Sequence, residues 1–457
     1  MQHAYVPGPR AVPTAPAMPL KVAVLINHRP NHAGEMGGLV GTWEHLSRVA
    51  CGHPELDLTV FFLGETSYVL PQASNVRRLF VSPCLGTEQF QCLHDIPTHT
   101  DLAPFHPRLF RSLRGFDVLH TTDTFRAFAR TALWKARLGG IPLVTSMQTD
   151  TIGWARIHTP FILQRLLPGH TLAHWLLAKH RYLDRQERAM ERRLARYLQS
   201  CGAVFVSHPR DQQRVRRLAP ATPGFFLRRG LDKDVFHPRL RDPQWLAARF
   251  GIPPERTVLL FVGRLDAVKG VLLAANVVRQ LVQRDHDVHL LVVCDGAQRQ
   301  AVATLLGERG TLTGNVPHHQ LPGIYASAAL LLFPSEAEVW PNVVMEARAC
   351  GLPVLACTRG AAHVMQGADW NGMLLPDCDP QRWLAATEEL LAHPEALRDM
   401  GRRTRQAIET DVPTWSQVLQ HELLPVWQHV ARSSSVRRMQ DVRPVYSAAL
   451  VGEETAS

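Results

Sequence analysis

The sequence predicts an α/β protein made of two Rossmann-like, doubly wound domains facing each other across an interdomain cleft. Three observations lead there. Short apolar runs alternate with helical stretches at the spacing of parallel βαβ units. The series stops in a turn-rich segment, 208–235, holding Pro209, Pro220, Pro223, Gly224 and Gly230, and a second series begins beyond it. At 457 residues, 46% of them hydrophobic, the chain can fill two cores of that size.

Taken in order, residues 1–19 are Pro/Ala-rich with no apolar h-region, which predicts a disordered tail and not a signal peptide. Lys21–Ile26 is an apolar strand running into "NHRPNHAGEMGGLVG", a glycine-containing loop that opens a helix near Leu39. Further strands are expected at 58–63, 116–120, 142–146 and 203–207, with a helix at 124–138. They complete a first domain over 20–222. The second domain, 223–415, carries expected strands at 257–262, 288–293, 330–333 and 353–356 and helices at 271–284 and 297–307. A terminal unit, 416–457, holds the helix "TWSQVLQHELLPVWQHV" and then a polar, loosely ordered tail.

Bulk properties narrow the function. A net charge of +10 and a pI near 9.5 imply an anionic partner. Composition alone does not choose among nucleic acid, headgroups and phosphorylated small molecules. No recognition helix, zinc finger or aromatic platform is present, so nucleic acid is set aside. No eighteen-residue apolar run exists, so no transmembrane helix is expected. Eight cysteines without a CxxC pair read as reduced, mostly buried thiols of a cytoplasmic protein. Cys84, Cys92, His94 and His99 match no common zinc spacing, and no metal is expected.

Two stretches carry chemistry. In "FPSEAEVWPNVVMEARACGLPVLA", residues 333–356, a strand ends at Pro334-Ser335 and a helix over 343–350 starts at Pro341-Asn342, with asparagine as a possible cap residue type. The loop between them lies at a strand's carboxyl end, where open α/β sheets bind ligands. Amides of Asn342, Val343 and Val344 would be open to a phosphate. Glu338 in the loop and Glu346 in the helix could accept hydrogen bonds from sugar or ribose hydroxyls. The plainer reading is one acid complementing the helix dipole and one ordinary surface acid. In "FVGRLDAVKG", 261–270, Gly263 permits close backbone approach, and Arg264 and Lys269 stand at a strand edge where they can neutralise a diphosphate. The alternative is two ordinary surface cations.

These pieces, with "GEMGGLVG", "FDVLHTTDTFRAFARTALWKARLGGIPLVTSMQTD", "RRGLDKDVFHP", "VVCDGAQR", "LTGNVPHHQLPGIYASAALLLFPS" and "TWSQV", come in an order and spacing over roughly 20–430 that resembles family 4 of the retaining glycosyltransferases. The resemblance implies the GT-B fold, a terminal helix crossing back to the first domain, and transfer of a hexose from a nucleoside-diphosphate sugar to a hydroxyl acceptor, lipid or saccharide, without metal or other cofactor. It also implies same-face attack, with the leaving phosphate taking the acceptor's proton. It gives Arg264 and Lys269 the diphosphate, Glu338 the transferred sugar, the amides of Asn342 and Val343 phosphate oxygens, and Glu346 the ribose. Gly37 and Gly38 would admit the diphosphate, and Gly314, Val316 and His318 would lie near the base.

Three departures stand out. Gln148 occupies the place where many members have a histidine at the reaction centre, with Asp150 nearby to compensate. Cys294 replaces a glycine usual before Asp-Gly, and "VWP" replaces an aromatic-Gly before Asn342. Gln148 motivates an alternative, a weak or regulatory nucleotide-sugar-binding protein of the same fold. A nucleotide-sugar epimerase is disfavoured by the ordered acids and cations.

The segment 180–198 is helical by period, with Leu183, Met190, Leu194, Tyr197 and Leu198 on one face. Arg181, Arg185, Arg188, Arg192 and Arg196 form a basic stripe. It is either a solvated face partly paired by Asp184 and Glu191, or a surface that docks on an anionic leaflet and makes the protein peripheral on the inner face of a membrane.

Overall fold

A computed structural model of the chain describes residues 18–30, 38–89, 100–148, 151–166, 182–336, 338, 340–365 and 372–435. Among the described residues fourteen strands form two sheets. The first contains β1 (Leu20–Ile26), β2 (Leu56–Leu63), β3 (Tyr68–Pro71), β4 (Val76–Val81), β5 (Val118–Thr121), β6 (Leu143–Met147), β7 (Ala203–Val206) and β8 (Gly224–Phe226). Their order is β3-β4-β2-β1-β5-β6-β7-β8. The second contains β9 (Thr257–Val262), β10 (Val288–Val293), β11 (Gly310–Gly314), β12 (Leu330–Phe333), β13 (Val354–Cys357) and β14 (Met373–Leu375), ordered β11-β10-β9-β12-β13-β14. All neighbours are parallel except the β3–β4 hairpin. Each sheet has one switch point where strand order reverses, between β1 and β5 and between β9 and β12. There Val22 pairs with Val118 and Leu259 with Leu330.

The strands named from sequence are those buried on both faces. β9 is TVLLFV and β10 is VHLLVV, wholly buried in the latter case, and runs of that kind need a helix layer on each side. Five strands were not expected: β3, β4, β8, β11 and β14. All four β3 residues are exposed, while β8, β11 and β14 are only half-buried. Edge strands have their backbone satisfied on one side only and need no apolar run. β8 also corrects the domain boundary: Phe225 pairs with Phe205 of β7, so the first sheet extends past residue 222.

The terminal segment belongs to the first domain's core. Thr414 opens it with a capping box to Gln417, and Leu419–Leu423 is a π-helical turn leading into Leu424–Ser435. Val418, Leu419, Leu423, Trp427 and Val430 pack with Val24, Trp43, Leu58 and Phe205. Trp427 stacks on Trp43 at 6.4 Å, and Arg228 binds Glu422 through Nε at 2.6 Å.

Trp427 Nε1 donates to His120 Nδ1 at 3.2 Å, which requires that nitrogen to be unprotonated. His120 is wholly buried, and burial lowers its pKa from 6.5 to about 3. The unfolded chain therefore binds a proton that the folded one does not, from pH 6.5 down to about 3. The His120 contribution is complete above pH 6.5 and is lost as pH falls through that window, roughly 3 kcal/mol by pH 4. Denaturant unfolding at pH 7, 5.5 and 4 should show this slope, and His120→Gln, which keeps an acceptor for Trp427, should flatten it. An unchanged slope would remove His120 from the account.

Candidate functional site at the interdomain cleft

The cleft is lined from the first domain by Gly41, Thr42 and His45, from the linker by Arg229 and Asp232, and from the second domain by His318, Trp340, Asn342 and Glu346. The second domain presents its switch point: the loops after β9 and β12 carry the predicted cations and the first acid.

Glu338 is held at one oxygen. Lys269 Nζ pairs with its Oε1, and Ser335 Oγ donates to the same atom at 2.8 Å. Lys269 is itself placed by Asp266, whose Oδ1 accepts the Lys269 amide at 3.0 Å. Arg264 is largely exposed and pairs with Asp266 Oδ2 at 3.1 Å. Gly263, directly after β9, sits at φ +153, a conformation that only glycine adopts readily.

Glu346 has different partners. Tyr325 Oη donates to its Oε2 at 3.0 Å, and His318 Nε2 lies 3.4 Å from its Oε1. That hydrogen bond raises the His318 pKa against the opposing effect of burial. Across the cleft His45 stacks on Trp415 at 5.1 Å, and burial, with Arg48 and His318 adding to it, lowers the His45 pKa to about 4. Two histidines facing one cleft are thus biased to opposite charge states.

Arg229 joins the halves. It is 7% exposed, and its Nη1 donates to Asn342 Oδ1 at 3.0 Å. A Cβ on Gly38 would lie 2.9 Å from that Nη1, so a larger residue there would require the guanidinium tip to shift. Burial brings the Arg229 pKa down to about 10, and the Glu338 charge opposes the shift, so it remains a cation at neutral pH.

Several expectations need correction. Asn342 does not cap its helix. The cap residue is Pro341 without a side-chain bond, Asn342 being the first residue of the helix itself, and the Asn342 amide oxygen accepts from Arg229. Of the three amides expected to be open, Asn342 donates to Trp340 O and Val344 to Pro341 O, each at 3.1 Å. The Val343 position, half-buried in the first turn, remains compatible with an incoming oxygen. Val316 lines a surface depression with Arg249 and Phe250. Gln148 lines a pocket at the carboxyl edge of the first sheet with Asp123 and Ser146. Gly314 ends β11 at φ +69 and accepts the Cys294 amide at 2.9 Å. Gly37, Asp150, Arg181, Cys92, His94 and His99 lie outside the described residues.

The Cys294 departure has a structural cost. Its φ is +98, a region costing a non-glycine residue roughly 1–3 kcal/mol. Cys294→Gly is expected to stabilise the second domain by about 1 kcal/mol after glycine's entropy in the unfolded chain is subtracted. Thermal unfolding checks this, and a lowered midpoint would contradict it.

Sequence reasoning missed Arg229, Ser335, Tyr325 and His45. Arg229 lies inside the quoted "RRGLDKDVFHP", but two adjacent arginines give no sign that one is buried. Ser335 precedes Glu338 by three residues, the reach of a local side-chain bond, and was the findable one.

Residues 256–393, which carry Arg264, Lys269, Glu338 and Glu346, match the family model for glycosyl transferases group 1. The chain is similar to this glycosyltransferase family through its second domain. A D-inositol 3-phosphate glycosyltransferase of Segniliparus rotundus is 32% identical to it over 286 residues, 59% of this chain and 57% of that one. A GDP-mannose-dependent alpha-mannosyltransferase of Mycolicibacterium smegmatis is 28% identical over 420 residues, 85% of this chain and the whole of the relative. The fold is GT-B. Sucrose-phosphate synthase from Thermosynechococcus elongatus superposes with a TM-score of 0.65 at 18% identity, covering 91% of this chain and all of that one. HepE of Anabaena, solved with UDP and glucose, gives 0.59 at 15% with the same coverage.

Proposed function

We propose that this glycosyltransferase moves a hexose from a nucleoside-diphosphate sugar to a hydroxyl acceptor, with retention and without a metal. The observation that carries the reading is the division of labour between the two acids. Glu338 is oriented by Lys269 and Ser335 beside the switch point, and Glu346 by Tyr325 and His318 in the lining of the cleft. Two carboxylates with separate supports suit two sugars, the transferred hexose and the ribose. Lys269 and Arg264 would exchange their carboxylate partners for the diphosphate and stabilise the leaving nucleotide. Glu338 is already engaged by a cation and a hydroxyl, which favours same-face attack over a protein nucleophile.

The acceptor side of this reading is the Gln148 pocket. Asp123 Oδ2, Ser146 Oγ and Gln148 Oε1 all line it, buried and without a hydrogen-bond partner among the described residues. Buried oxygens of that kind are costly unless a ligand hydroxyl satisfies them. Glycolipid or polysaccharide synthesis follows if that hydroxyl belongs to a membrane lipid. The basic helix supports the lipid case: Arg185, Arg188, Arg192 and Arg196 are exposed, while Glu187 pairs with Arg156 and Glu191 with Arg214 and Arg217. The acids are thus occupied by arginines outside the stripe. Among the described residues no helix is long and apolar enough to cross a membrane, and the attachment proposed is peripheral.

The test is binding and slow hydrolysis across uridine-, guanosine- and adenosine-diphosphate sugars, with chelator present and no acceptor. One donor bound and slowly cleaved is expected. Binding without cleavage, in this assay and with lipid and saccharide acceptors supplied, would leave a donor-binding protein that does not turn over. No binding would overturn the site.

A further inference from the structure

Among the described residues two groups of three place metal-ligating atoms together, Cys84–Asp101–His106 and Glu336–Cys357–Cys378. The first is already satisfied. Asp101 Oδ1 accepts the Leu85 and Ala103 amides and Oδ2 that of Cys84. His106 Nδ1 accepts the Leu109 amide and its Nε2 contacts Ser82 O. Every ligand atom of its Asp and His is spent on holding a loop.

The second group is different. Cys357 ends β13, and Cys378 follows β14, whose Leu375 is the register partner of Cys357. Glu336 lies on the loop after β12, so three neighbouring parallel segments deliver one ligand each to the carboxyl edge of the second sheet. The ligand atoms all lie within 4.8 Å of one another. Their present bonds are weak: Cys357 Sγ is 3.9 Å from Glu336 Oε1, and Cys378 Sγ is 3.1 Å from Pro334 O. Cys357 is wholly buried, while Glu336 is exposed and Cys378 partly so, which gives an ion a way in.

We propose that Glu336, Cys357 and Cys378 form a binding site for a soft divalent cation of the zinc type, with the fourth position open to water. Thiolates select such ions, and a tetrahedral centre takes sulfur at about 2.3 Å and carboxylate oxygen at about 2.0 Å. A group spanning 4.8 Å closes onto that geometry by small side-chain rotations. Binding converts two thiols to thiolates and releases two protons. The resulting centre has net charge −1, which Arg359, 3.4 Å from Glu336 and exposed at its end, can balance. The burial and acidic neighbours that raise the Cys378 pKa to about 12 are what a bound cation would offset. The ion is apart from the diphosphate and takes no part in transfer. It fastens Glu336, two residues before Glu338, to the sheet edge.

The test uses the reduced full chain with zinc and, separately, cobalt. One ion per chain is expected, with about two protons released, a sulfur-to-cobalt charge-transfer band, and at least tenfold slower alkylation of Cys357 and Cys378 as mapped by mass spectrometry. Cys378→Ser, which retains a donor to Pro334, should abolish the band. Glu336→Gln, at an exposed position, should weaken binding at least tenfold while leaving the thiols of the metal-free protein as reactive as before. Cobalt bound without the band, equal binding by Cys378→Ser, or no metal uptake with Cys357 and Cys378 instead joining as a disulfide in air would each overturn the assignment.

Discussion

Lys269→Ala is expected to lower donor affinity and kcat/KM by at least about 100-fold. The lysine's partner, Glu338, is mostly buried, and without Lys269 its only described hydrogen-bond donor is Ser335. In the donor complex the lysine would exchange Glu338 for the diphosphate, and truncating one partner of such a charge pair typically costs about 3 kcal/mol of binding, which corresponds to that factor. Lys269→Arg should rescue little, because a planar fork cannot replace the point charge that Nζ presents to Glu338 Oε1. Glu338→Gln separates the roles: it should retain donor binding and lose rate. Calorimetry with the nucleoside diphosphate alongside donor saturation kinetics makes the distinction, and undiminished affinity in Lys269→Ala would remove the lysine from the site.

Gly360→Ala should be the most damaging substitution of a single hydrogen by a methyl group. Gly360 lies in the helix Thr358–Met365, and a Cβ there would sit 1.9 Å from the Ser335 carbonyl oxygen and 2.9 Å from its carbon. The obstacle is backbone, which cannot rotate aside as a side chain can. Overpacking of this kind costs roughly 1–3 kcal/mol, and the segment forced to move is the one that carries Ser335 and Glu338. A lower unfolding midpoint together with a loss of rate is therefore expected. Gly139→Ala is the control, since its new Cβ would meet only the Ile141 side chain at 3.4 Å. Equal behaviour of the two variants would refute the close packing.

How much of this was legible in the sequence depended on where each element sits. β9, β10 and β12 declare themselves because a strand covered on both faces must be apolar throughout. β3 and β11 do not, since an edge position tolerates Tyr-Val-Leu-Pro or Gly-Thr-Leu-Thr-Gly equally well. At the site, the two acids could be read from local grammar: a strand end, a proline and a helix start. Arg229 could not, because its burial depends on Gly38 and Asn342, one on each side of the linker. Asn342 shows the same limit from the other direction: its residue type suits a cap, yet a distant guanidinium takes its oxygen. Gln148 was placed by resemblance at the reaction centre; that it shares a pocket with Asp123 and Ser146 depends on the neighbouring ends of β5 and β6, which only the tertiary structure brings together.

The return of the terminal helix to the first domain bears on how the protein is made. Trp43 and the apolar side of β1 and β2 are covered by Val418, Leu423 and Trp427, residues that leave the ribosome after the entire second domain. The domain synthesised first therefore cannot finish its core until the second domain has been made. Throughout that interval it carries an uncovered apolar face. Nascent chains halted before residue 415 should be open to proteases at the first sheet, and those extended past 435 should be closed.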